Sequence, residues 1–149
     1  GNPATLDFDA ESGNWIGSLT GLAPGSHTFT ASATNSAGTG EATSTFSVVV
    51  NFGQWLPPIV TSNKQMKAGS TLPVKFTIVG ANGPVDDSVA QPVVTLNGVS
   101  KNAKSFLDPT TALLYFQADF KLPAAGTHTV SVTEPNMVPA NTSMQIITK

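Results

Sequence analysis

Apolar side chains occupy every second position from Leu72 through Val74 and Phe76 to Ile78, and again from Leu114 through Phe116 and Ala118 to Phe120. A period of two places each set on one face of a pleated strand, a spacing that no helix reproduces. Threonine carries the same theme elsewhere: nineteen threonines outnumber the seven lysines and nine acids combined, and β-branched residues suit a half-buried pleated surface. The thirteen glycines and eleven prolines fall mostly between the alternating runs. With no sustained apolar period near 3.6, the chain is expected to be all-β.

Composition then removes whole classes of chemistry. The 149 residues include no cysteine, which excludes disulfides, thiolate metal sites and cysteine nucleophiles. All seven basic residues are lysine and the net charge is −2, so the chain lacks the electrostatic footprint of a nucleic-acid binder. No apolar run approaches the roughly 20 residues of a membrane-spanning helix, and membrane insertion is not expected. The opening GNPATLDFD lacks the basic-then-apolar grammar of a signal peptide, which fits either a mature N-terminus or an internal fragment.

Strands are expected at Leu6 to Asp9, Trp15 to Leu19, His27 to Thr34 and Thr43 to Val50, with Phe46, Val48 and Val50 on one face. In NFGQWLPPIV, Pro57 and Pro58 cannot join a central ladder, so this stretch is expected to be an edge or linker. That places a domain boundary near residue 50. Beyond it, strands are expected at Thr71 to Val79, Pro92 to Leu96, Leu113 to Phe120, Thr127 to Thr133 and Ser143 to Thr148.

The only two histidines lie in two versions of one phrase, GSHTFTA at 25–31 and GTHTVSV at 126–132. The phrase belongs to a longer repeat. Phe8-Asp9 leads through Trp15 to Leu22, Gly25 and His27, as Leu107-Asp108 leads through Tyr115 to Leu122, Gly126 and His128. From Asp9 to Asp108 is 99 positions and from His27 to His128 is 101, the length of one immunoglobulin-like sandwich. Residues 1–50 then correspond to residues 100–149, and nothing corresponds to residues 51–99. The expected architecture is tandem immunoglobulin-like β-sandwiches, the first incomplete: 1–50 the C-terminal half of one sandwich, 51–149 a complete one.

Lys67-Ala68-Gly69-Ser70-Thr71-Leu72-Pro73-Val74-Lys75-Phe76, preceded by Asn51-Phe52-Gly53 and followed by Ala81-Asn82-Gly83-Pro84-Val85, resembles the PxKF repeat of bacterial and archaeal extracellular proteins. The later Asp108-Pro109-Thr110-Thr111 turn and the Gly126-Thr127-His128-Thr129 strand start are similar to that family too, with histidine where an aromatic residue is usual. Residues 9–50 resemble the end of a bacterial immunoglobulin-like or HYR-type module. The resemblance implies an extracellular, non-catalytic module of a large surface protein, or one appended to a secreted hydrolase.

Candidate sites compete with simpler explanations. His27 shares parity with Phe29 and Ala31, and His128 with Val130 and Val132, so both rings face the apolar side at a strand start. That is where immunoglobulin-like folds use a tyrosine corner, and a structural corner is the expected role. Lys75 alternates with Val74 and Phe76 and is expected on the solvated face, which argues against an intramolecular isopeptide bond. Asp7, Asp9 and Glu11, or Asp86 and Asp87, could offer oxygens to calcium, but neither run has the full grammar of a calcium loop. Trp15, Trp55 and Tyr115 could stack on a sugar, although scattered aromatics in a sandwich are more often packing. No nucleophile elbow, phosphate loop or zinc-protease motif is present. The expected role is thus a non-catalytic stalk, filament or adhesive module without cofactor. Its expected partners are neighbouring immunoglobulin-like domains or like subunits that could lend strands across an open edge. A carbohydrate-binding or spacer module of a secreted hydrolase is the alternative.

Overall fold

The structure, a computed structural model, describes residues 6–149. Fifteen strands and no helix are found among the described residues. Four strands come first: β1 (Asp7–Asp9), β2 (Asn14–Ile16), β3 (Gly25–Asn35) and β4 (Gly38–Val48). They form two separate antiparallel pairs, β1 with β2 and β3 with β4. Eleven more follow: β5 (Val50–Leu56), β6 (Lys64–Met66), β7 (Thr71–Gly80), β8 (Gly83–Pro84), β9 (Val93–Leu96), β10 (Val99–Asn102), β11 (Lys104–Leu107), β12 (Leu114–Lys121), β13 (Gly126–Thr133), β14 (Met137–Val138) and β15 (Asn141–Thr148).

These eleven strands build two sheets, one in the order β11-β12-β7-β5-β14 with β8 beside β7, the other in the order β10-β9-β13-β15-β6. Alternation sends Leu72, Val74, Phe76 and Ile78 of β7 and Phe116, Ala118 and Phe120 of β12 inward, where all are buried. From the opposite sheet come Val94, Val130, Val132 and Ile146, and both sets join one core cluster. Complete burial of a side chain of this size contributes about 1.5–3 kcal/mol. Inside that core, Phe76 and Phe116 pair across the ladder and stack at 5.7 Å between ring centroids. The chain is all-β, of immunoglobulin-like sandwich architecture, with an incomplete unit preceding a complete one.

One expectation narrows and another changes. The stretch NFGQWL is a strand and not a linker: Val50–Leu56 runs antiparallel to β7, and β14 lies parallel to it at Val50 and Asn51 alone, so Phe52–Leu56 is the expected edge. The ladder ends at Leu56, just before Pro57. The two prolines therefore terminate the strand without excluding it. Likewise the expected strand Thr43 to Val50 is two strands, because Val49 interrupts the ladder and Val50 donates its N–H to the carbonyl of Asn136 at 2.9 Å. Val50 is buried in the complete sandwich, whereas Phe46 is 36% exposed on β4.

Gly53 has a specific reason to be glycine. It lies in a bulge between Phe52 and Trp55, where the Thr77 hydroxyl accepts a hydrogen bond from the N–H of Gln54 at 3.0 Å. A methyl group at Gly53 would collide with that hydroxyl oxygen and crowd Val79.

Candidate functional site

The repeat detected in the sequence is a repeat of geometry. Asp9 accepts from the Glu11 N–H at 3.0 Å and the Ser12 hydroxyl at 2.6 Å, while its carbonyl accepts from the Gly13 N–H at 2.9 Å. Asp108 accepts from the Thr110 and Thr111 N–H groups at 2.8 and 3.1 Å, and its carbonyl accepts from Ala112 at 2.9 Å. Both turns finish on a positive φ, 70° at Gly13 and 54° at Ala112. The hydrogen bonds hold both carboxyls below the usual range: the Ser12 hydroxyl is the main cause at Asp9, and the Thr110 N–H is the main cause at Asp108, with Lys75 adding a smaller attraction there.

The two histidines open β3 and β13 in matching ways. The ring of His27 donates through Nε2 to the Ala23 carbonyl at 2.7 Å, and that of His128 donates through Nε2 to the Ala124 carbonyl at 3.0 Å. A carbonyl can only accept, which assigns the proton to Nε2 in both rings. Each ring thus ties a strand start to backbone four residues upstream. His128 has a second neighbour, the Thr148 hydroxyl at 3.1 Å, which itself donates to the Ala124 carbonyl at 2.6 Å. At the matching place β4 has Val48, and His27 instead stacks on Phe46 at 5.6 Å between ring centroids.

Register corrects one detail of the repeat. Trp15 lies opposite Phe8, and Leu114 opposite Leu107. Counted from the aspartates, Trp15 therefore occupies the place of Leu114, in the inward row with Phe116 and Ala118, and Ile16 takes the place of Tyr115. The expected match of Trp15 with Tyr115 is off by one residue, because the two turns are equal in length while the later spacing differs. Trp15 packs on Phe8, at 5.3 Å between ring centroids, and remains 66% exposed.

The three aromatic candidates do not share a platform. Trp55 pairs with Phe76 and packs against Phe52 and Phe76 on the inner side of its sheet. Tyr115 points to the outer side, stacked on Phe106 at 5.9 Å and beneath the ammonium of Lys75 at 5.1 Å. Trp15 is on a different sheet altogether. Alternation is the reason, since neighbouring positions on a strand face opposite ways. The same alternation places Lys75 outside.

Nor are the acidic candidates brought together into a metal site: no group of three or more histidine, cysteine, aspartate or glutamate side chains converges among the described residues. Asp7 is exposed on β1, Glu11 is exposed in the turn that Asp9 organises, and Asp86 is bound to the hydroxyl and N–H of Ser88. These two bonds lower the Asp86 carboxyl, the hydroxyl contributing most. Asp87 points away, towards the Ser105 N–H at 3.5 Å.

Two concave regions border the first four strands. One, of about 330 Å³, lies between the two strand pairs and is lined by Leu6, Trp15, Leu19, Phe29 and Phe46, with Gly17 and Ser44. The other, of about 600 Å³, runs between the Leu22, Pro24 and Val48 side and the Gly80–Val85 hairpin with Val89. No titratable side chain lines either. Uncharged side chains line both, with Ser44 in the first and Thr20 and Asn82 in the second as their polar members.

One buried acid escaped the sequence reading. Glu134 is 7% exposed and accepts from the Gln91 N–H at 3.0 Å, tying the loop before β9 to the turn after β13. A glutamate flanked by Thr133 and Pro135 carries no local signal of burial, because its partner is 43 residues away.

No family model matches the chain, and no curated protein matches it. Among solved structures, the chain is similar to domains 4 and 5 of the S-layer protein SbsC, with 12% identity, a TM-score of 0.41, and coverage of 96% of this chain and 78% of that one. It is also similar to the titin immunoglobulin tandem A164–A165, with 18% identity and a TM-score of 0.36, over 83% of this chain and 62% of that one. The fold rests on the sheet order and shared core described above.

Proposed function

We propose that the chain is a pair of consecutive structural modules from a larger extracellular surface protein, built as a stalk, filament or adhesive surface rather than for catalysis. The observation that carries this reading is the junction. β4 ends at Val48 and β5 begins at Val50, so the last strand of one unit reaches the first strand of the next through Val49 alone. Asn136 adds a contact at the same place, donating from its side chain to the Pro24 carbonyl at 3.5 Å. A one-residue link leaves few backbone torsions to vary, which suits a module that transmits length and direction. The PxKF-type resemblance of residues 49–149 supports the extracellular setting.

A second reading, an accessory sugar-binding or spacer module of a secreted hydrolase, is favoured by the outward-facing Phe106–Tyr115 stack with Lys75 beside it. The absence of native cysteine allows a direct test of the first. Spin labels on Ser36→Cys and Asn97→Cys should give a narrow distance distribution that broadens when four Gly/Ser residues are inserted after Val49. A distribution already broad without the insertion would sink the rigid-junction reading. A glycan array giving signal that disappears in Tyr115→Ala would transfer the function to the second.

A further inference from the structure

The same half of a module is present twice, once covered and once not. In the complete sandwich, the second edge of β12 pairs with β7 from Phe116↔Phe76 to Lys121↔Thr71, and the second edge of β13 pairs with β9 from Val130↔Leu96 to Thr133↔Val93. Among the described residues, β2 pairs only with β1, and β3 only with β4. The exposure of matched positions follows from this. Val130 and Ile146 are 0% exposed, but Phe46, which faces His27 just as Ile146 faces His128, is 36% exposed, and Trp15 is 66% exposed.

We propose that residues 6–48 are a docking site for a polypeptide segment with the strand pattern of β5 to β10, carried on the same polypeptide ahead of Leu6. One of its strands would run antiparallel to β2 as β7 does to β12, another antiparallel to β3 as β9 does to β13. Together they close over Trp15, Leu19, Phe29 and Phe46. The complete sandwich is the template for both edges and for the direction of each strand. It also gives the side of attachment: β10 precedes β11, with Ala103 alone between them, so the covering segment joins on the N-terminal side of the first four strands. The cleft offers no charge, so the incoming strands present apolar side chains at alternate positions, as β7 does. A second copy of this chain is a poor donor. Its own β7 and β9 are already paired on both edges, with Phe76 and Val94 at 0% exposure, and releasing them would open its own core. The inference is independent of whether the modules bear load or hold sugar.

The test splices a copy of residues 50–102 ahead of Ala4 in the full chain and reads amide hydrogen exchange in β2 and β3, with light scattering across a dilution series. A partner graft carries Trp15→Leu, Phe29→Val and Phe46→Ile, matching Leu114, Val130 and Ile146 of the complete unit. Exchange in β2 and β3 should slow at least tenfold in one or both grafts relative to the 149-residue chain, with the grafted protein monomeric. Unchanged exchange in both grafts would overturn the proposal. So would equal protection of the same amides in the unextended chain as a monomer, or protection that appears only as that chain dimerises, which would make a second copy the occupant.

Discussion

Residues 7–48 and 104–148 share a turn, a histidine corner and a long antiparallel pairing, yet only the second set encloses a core. In the second set, Phe116, Val130 and Ile146 are fully buried between two sheets. In the first, Trp15 and Phe46 face a cleft instead. The turn and corner depend on hydrogen bonds that span two to four residues, and they form in both places. Core burial depends on β7 and β9, which come from far away in sequence and, among the described residues, cover only one of the two sets. Local geometry therefore does not require a completed sandwich, whereas burial does.

The sharpest break of this comparison is a pair of truncations at one matched position. Ile146→Ala should destabilise the main denaturant transition by about 2–5 kcal/mol, the range for a buried aliphatic side chain, while Phe46→Ala should move it by no more than about 0.5 kcal/mol. Equal shifts would mean that the first half is covered as well as the second.

The bulge at Gly53 gives the next effect, confined to the complete unit. Gly53→Ala should cost about 1–3 kcal/mol by overpacking against Thr77. Adding Thr77→Ala should recover part of that loss, and strictly additive costs in the double variant would show that the two residues do not press on each other.

The corners test the comparison more finely. His128→Ala should lower stability by about 1 kcal/mol, the net worth of one such hydrogen bond, and His128→Tyr should retain most of it. His27→Ala should leave the main transition in place, because its corner lies outside the complete core. A metal or an activity lost with His128→Ala at unchanged stability would reverse the structural role.

Smallest is the acid response. The carboxyl of Asp108 titrates below its ordinary value in the folded chain, so its contribution is complete above the unfolded value near 3.9 and fades as pH falls through the lower folded one. Asp108→Asn should flatten the acid side of the stability profile below about pH 4 without changing its slope near neutrality. An unchanged acid limb would show that the turn bonds do not favour the charged form.

Much of this was legible from residue order because it is set by neighbours. Alternation at Leu72–Ile78 and Leu114–Phe120 identified strands and their inner faces, since a pleat has no other way to arrange a period of two. The Asp9 and Asp108 turns and the two corners were visible as repeated phrases, since each closes within a few residues. Tertiary pairing decided what carries no local pattern: β10 and β11, rich in lysine and polar residues, are strands because β9 and β12 lie beside them. It also decided between edge and linker for Val50–Leu56 by pairing it with β7, buried Glu134 against a loop 43 residues away, and shifted Trp15 into the inward row. Periodicity specifies which side of a strand is apolar, but only the strands available to pair with it determine whether that side is ever removed from water.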